Sequence, residues 1–85
     1  MTRVQEVRHE CLLQLYGSGR IPISAEHIQR VARRGGFRHG AEEIKNALHF
    51  LVGQGFAERV PDPASGEERW RITSAGMIEW ELRDG

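Results

Sequence analysis

Apolar positions along this chain change their spacing several times, and each change marks an element boundary. Val4, Val7, Cys11, Leu12 and Leu15 recur at helical intervals until Gly17-Ser18-Gly19 closes the run, which predicts a first helix over Val4 to Tyr16. Ile21-Pro22-Ile23 predicts a very short edge strand, where a proline does little harm. Ser24 can then cap a second helix whose buried face is Ile28, Val31 and Ala32, because its hydroxyl can accept a bond from an otherwise unpaired amide of the first turn. Gly35-Gly36 breaks that helix, and Phe37 is expected to insert into the core from the turn.

A third helix starts near Gly40 or Ala41 and repeats Ile44, Leu48, Leu51 and Val52 at helical spacing until Gly55 supplies a left-handed stop. Phe56 to Val60 turns at once to an extended pattern, and Arg69 to Thr73 alternates polar and apolar residues in strand period. Between them Pro61 to Glu68 is rich in turn-forming residues and predicts a hairpin with an eight-residue tip. Arg69 and Arg71 should share one face of the second strand, Trp70 and Ile72 the other. Thr73 and Ser74 can cap a last helix from about Ala75 to Leu82.

Helix, hairpin, helix is the order of a winged helix-turn-helix. The run from Ala47 to Arg59 resembles that superfamily's helix-end pattern: a small residue, two leucines, then glycine and an apolar residue entering the wing. Arg71-Ile72-Thr73-Ser74-Ala75-Gly76 resembles the strand that returns from the wing and starts the closing helix. The resemblance covers nearly the whole chain. It implies an α+β fold with a three-helix core, a β-hairpin wing and a C-terminal helix, in a single domain over residues 1–85. It further implies a small transcriptional regulator, similar to bacterial or phage proteins, whose third helix enters the major groove of double-stranded DNA. Winged helices also bind proteins, so an interaction module without DNA binding is the alternative.

Size and composition narrow the picture. A chain of 85 residues supports one modest core, near the size at which folding alone becomes marginal, so dimerisation would help. The first residues are charged and no apolar run approaches the ~20 residues of a membrane span, which predicts a cytoplasmic protein without a membrane partner. The single cysteine, Cys11, has no disulfide partner in the chain and reads as a small core residue.

The formal charge is zero, yet it is unevenly distributed. Residues 1–40 carry seven arginines against three glutamates, and residues 41–85 carry five basic and nine acidic side chains. Local patches can hold phosphates on a neutral protein. Arg30, Arg33, Arg34 and Arg38 concentrate the positive charge at the end of helix two and the following turn. There Arg33, Arg34 and Arg38 would grip a nucleic-acid backbone; alternatively they complement the helix dipole. On helix three, Asn46 and His49 could read base edges and Lys45 meet a phosphate, although Glu42 and Glu43 oppose an approach of DNA. The wing tip carries Asp62, Glu67 and Glu68 and no basic residue. Arg71 is either a backbone contact or a cross-strand partner of Glu58.

A second apolar face arises on both terminal helices. Leu13 and Tyr16 lie off the main stripe of helix one, Met77 and Trp80 lie off a stripe of Ala75, Ile78 and Leu82, and Phe50 projects from the outer side of helix three. These residues form a homodimer or partner interface, unless the last helix folds back onto helix one and covers them. An enzyme is the weakest reading. His9, His27, His39 and His49 are scattered, no phosphate-binding glycine loop has the required context, and no nucleophile has an identifiable base, so neither catalytic residues nor a metal or cofactor are expected.

Overall fold

Each predicted helix forms, and its boundaries follow from side chains that satisfy its free ends. A computed structural model describes residues 1–84, with helices α1 (Arg3–Gly17), α2 (Ala25–Arg34), α3 (Ala41–Gly53) and α4 (Ser74–Asp84) and strands β1 (Ala57–Arg59) and β2 (Trp70–Ile72). Thr2 caps α1 through a reciprocal pair: its hydroxyl accepts from the Gln5 amide at 3.2 Å, while its own amide donates to Gln5 Oε1 at 2.9 Å. Ser24 accepts from the His27 amide at 3.1 Å, as its position predicts.

α2 and α3 stop in the same way. The Phe37 amide donates to the Ala32 carbonyl and the Gly36 amide to the Arg33 carbonyl; likewise Phe56 donates to Leu51 and Gly55 to Val52. Both are Schellman closures, in which the residue after the helix takes a left-handed conformation that glycine adopts without strain. Gly36 and Gly55 do so at φ 89° and 79°.

α1, α2 and α3 pack around Cys11, Leu12, Leu15, Ile28, Ile44, Leu48 and Leu51, all fully buried. Val4 departs from its expected place and is 57% exposed, so the apolar face of α1 enters the core only from Val7 onward.

β1 and β2 pair antiparallel with Ala57 opposite Ile72, Glu58 opposite Arg71 and Arg59 opposite Trp70. Ile23 bridges to Trp70 with hydrogen bonds in both directions, at 2.9 and 2.8 Å, so the short segment after α1 serves as the edge strand. Trp70 and Ile72 face the core and the arginines face away. The wing tip is tighter than eight residues. Val60 donates to Arg69 and Asp62 to Glu67, and Gly66 (φ 74°) donates back to Asp62. The tip enclosed by the Asp62–Glu67 bond is therefore Pro63 to Gly66.

The last helix is turned the other way from its expected orientation. Ile78 and Leu82 are 57% and 74% exposed, whereas Trp80 is buried and Met77 packs on the core. Its first turn sets this rotation. Thr73 Oγ1 accepts from the Gly76 amide and donates to the Gly55 carbonyl, and the Thr73 amide donates to the Phe56 carbonyl. Gly76 consequently lies against the Phe56 backbone, where a Cβ would overlap the carbonyl oxygen and come within 2.8 Å of Ile72 Cγ1. With Gly76 inward, Met77 and Trp80 must follow. Trp80 then meets His9 and Tyr16 at ring-centroid distances of 4.9 and 6.1 Å, and the Tyr16 hydroxyl donates to Glu81 at 3.0 Å.

Candidate nucleic-acid interface

The turn from Gly35 to Gly40 links α2 to α3 and is tied down along its length. Beyond its Schellman bonds, the His39 carbonyl accepts from Gln29 Nε2 at 3.2 Å and the Arg38 carbonyl accepts from Arg3 Nη2 at 2.8 Å. The Gly40 amide, at the cap of α3, donates to Glu43 Oε1 at 2.9 Å. Glu43 also receives the Arg3 guanidinium on both oxygens. The Arg3 hydrogen bond, and then the Gly40 amide, hold the Glu43 carboxyl down at about 2. Arg3 thereby joins the start of α1 to the start of α3 across 40 positions of sequence.

The ion pairs divide the basic residues into two populations. Arg3, Arg59, Arg69, Arg71 and Arg83 hold Glu43, Glu68, Glu67, Glu58 and Glu79 respectively, and Arg69 also lies 4.0 Å from Asp62. Among the described residues, no carboxylate lies within ion-pair reach of Arg8, Arg20, Arg30, Arg33, Arg34, Arg38 or Lys45. Arg30, Arg33 and Arg34 are spaced i, i+3 and i+4 on the side of α2 opposite buried Ala25, Ile28 and Ala32, and all three are exposed. Arg38 projects from the tied turn just beyond them and is also exposed.

The expected base-reading residues are less united. Lys45, Asn46 and His49 are all exposed on α3. Lys45 borders the groove formed with Glu26, Glu67, Glu68 and Trp70, on the wing side, while Asn46 borders a cleft with Val4, Val7 and Arg8 on the α1 side. Arg71 is not a free cation. Its Nε donates to Glu58 at 2.8 Å across the hairpin, the cross-strand pairing that its register allows.

The expected interface residues are also redistributed. Trp80 is only 8% exposed, and Tyr16, Met77 and Phe50 pack against the core. Phe50 lies beneath Arg8, whose guanidinium carbon is 3.5 Å from the ring centroid. Only Leu13 of that group is open, at 41%, and the exposed apolar residues of α4 are instead Ile78 and Leu82. Phe37 is a further correction: it does not insert into the core but stays 47% exposed, stacked on His39 at a centroid distance of 5.6 Å. His39 takes the buried place in the turn, at 5% exposure. Arg3 was not singled out by sequence reasoning, since nothing local connects it to Glu43.

Among the described residues no group of three or more His, Cys, Asp or Glu is placed to hold a metal ion, and no helix is long and apolar enough to cross a membrane. Cys11 is fully buried, and burial pushes its thiol up to about 12.

Three helices, a two-stranded wing locked to an edge segment, and a closing helix make this a winged helix-turn-helix domain. Solved structures have the same fold. Wild-type apo MarR from E. coli superposes with a TM-score of 0.74 at 18% identity, and a cysteine-to-serine mutant of MarR with 0.72 at 18%. Each match covers 88% of this chain and 51% of MarR, so the chain spans about half the length of that protein. The F-93 protein of SSV1 superposes with a TM-score of 0.70 at 20% identity, over 89% of this chain and 79% of F-93. No family model and no curated protein matches the sequence.

Proposed function

We propose that this domain is a DNA-binding transcriptional regulator that grips the duplex backbone chiefly through the end of α2 and the turn before α3. The observation carrying this reading is the cluster of exposed arginines without carboxylate partners, Arg30, Arg33, Arg34 and Arg38, beside a recognition helix with a rigid entry turn. Unpaired guanidiniums can exchange counterions for phosphates without first losing a protein carboxylate. Lys45, Asn46 and His49 would then face the major groove, with the arginines fixing register. Titration of a labelled DNA duplex at low salt tests the proposal. Saturable binding that weakens steeply with added salt supports it, and no binding overturns it.

A second reading rests on Leu13, Ile78 and Leu82, which leave apolar surface open on α1 and α4. A second copy or another protein covering that surface is compatible with DNA binding, because the arginines lie on α2 and its following turn. Sedimentation of Ile78→Ser and Leu82→Ser variants distinguishes a dimer through this face from a monomer.

A further inference from the structure

The turn before the recognition helix displays an aromatic ring that its local structure does not require to be exposed. Phe37 and Phe56 occupy the same position in two Schellman closures, directly after Gly36 and Gly55. In that position an apolar side chain ordinarily packs back on the helix it follows. Phe56 does so and joins the core, whereas Phe37 keeps 47% of its surface in solvent. Its orientation is nevertheless restrained. The ring stacks at an interplanar angle of 20° on His39, itself buried. Its backbone is fixed by the bond to Ala32, and the next two carbonyls are held by Arg3 and Gln29. Gly35 lies at one ring edge, with a hypothetical Cβ at 3.5 Å from Cδ2.

What flanks this ring in sequence is positive and unpaired. Arg33 and Arg34 precede it on the last turn of α2 and Arg38 follows it, all exposed and, among the described residues, without a carboxylate in reach. An apolar partner would gain nothing from these guanidiniums. A nucleic acid matches both features, because phosphates pair with arginines while a base offers a flat apolar face to the ring.

We propose that Phe37 is a stacking platform for an unstacked DNA base, with Arg33, Arg34 and Arg38 holding the phosphates that flank it. This rests on the DNA-binding reading above and adds to it a preference for DNA in which a base is already out of the helix, since extrusion from an intact duplex costs energy that a bulge avoids. A base–aromatic contact of this kind changes affinity by roughly 5- to 150-fold.

The test compares two labelled duplexes of the same sequence, one fully paired and one with a single bulged 2-aminopurine, bound by the full chain at fixed salt. The wild type is expected to bind the bulged duplex at least about fivefold more tightly and to quench the 2-aminopurine fluorescence. Phe37→Leu keeps an apolar side chain in the turn but removes the π face, so the ratio should fall to about one and quenching should be lost. Phe37→Ala should do the same, and the leucine variant decides the matter if alanine impairs folding. Arg33→Ala with Arg34→Ala should weaken both duplexes while keeping the ratio. A wild-type ratio near one, or a leucine variant that retains the ratio and the quenching, overturns the role of Phe37 and leaves backbone binding standing. Failure of the wild type to bind either duplex overturns both.

Discussion

If unpaired arginines carry the contact with DNA, their removal should change salt dependence in a way that removal of paired arginines does not. On B-form DNA, each phosphate neutralised by a protein cation contributes about 0.9 to the slope of log affinity against log salt. Arg30, Arg33, Arg34 and Arg38 are the exposed, unpaired guanidiniums of the α2 end and its turn. Four contacts give a slope near −3.6, so raising salt from 50 to 200 mM should weaken binding about 150-fold. Arg33→Ala with Arg34→Ala should reduce the slope to about −1.8 and the loss over that range to about 12-fold. Arg59 and Arg71 supply the comparison, because each already holds a glutamate on the wing. Alanine at either position should leave the slope nearly unchanged. Fluorescence anisotropy of a labelled duplex across a potassium chloride series measures all of these variants alike. A double variant at Arg33 and Arg34 that keeps the wild-type slope would refute this account, as would an Arg59→Ala or Arg71→Ala change that lowers the slope as much.

Three further outcomes follow from local geometry. Gly76→Ala should destabilise the fold by about 1–3 kcal/mol in chemical denaturation, despite the ~1 kcal/mol that alanine contributes in a helix, because its Cβ meets the Phe56 carbonyl; an unchanged midpoint would show that α4 can shift at no cost. The Glu43 carboxyl, held at about 2 by Arg3 and the Gly40 amide, lies below its ordinary value of 4.5, so its contribution is present above about pH 4.5 and is lost as pH falls toward 2. Thermal melts over that window should show Glu43→Gln with a flatter acid dependence than wild type, and parallel curves would remove Arg3 and Glu43 as a clamp. Cys11, with its thiol raised to about 12, should resist Ellman's reagent in the native state and react on unfolding; rapid native labelling would mean that α1 opens readily.

Much of this architecture was legible because its punctuation is local. Ser24 and Thr73 cap the helices that begin beside them, and Gly36 and Gly55 end helices through bonds spanning only a few residues. The two faces of β2 followed from the alternation of Trp70 and Ile72 with Arg69 and Arg71. What escaped depends on distant neighbours. On α4, Ala75, Ile78 and Leu82 and the pair Met77 and Trp80 both have helical spacing, so periodicity alone does not choose between them. The choice is made by the approach of Gly76 to the Phe56 backbone, a fact about another element. Phe37 misled for a related reason: an aromatic residue after a glycine break ordinarily packs inward, as Phe56 does, but in this turn the buried ring is His39 and Phe37 stacks on it from outside. Of the candidate contacts, Arg33, Arg34 and Arg38 are exposed as expected, whereas the pairing that separates Arg71 from them required the folded hairpin.

That pairing changes what the neutral formal charge means. Screening limits exposed charges to a range of about 10 Å at 0.1 M salt, so a DNA backbone senses patches rather than the sum over the chain. The wing combines Glu58, Asp62, Glu67 and Glu68 with Arg59, Arg69 and Arg71, and its guanidiniums and carboxylates are matched within the hairpin. At the start of α3, Arg3 neutralises Glu43, and Lys45 lies one turn from Glu42. Neither region presents a strong field of its own. Arg33, Arg34 and Arg38 around the end of α2 have no such compensation, and they lie beside the turn that leads into α3. Acidic residues that argue against DNA when counted along the sequence are therefore largely engaged in holding the wing and the α3 cap in place, and the surplus positive charge is left where α3 begins.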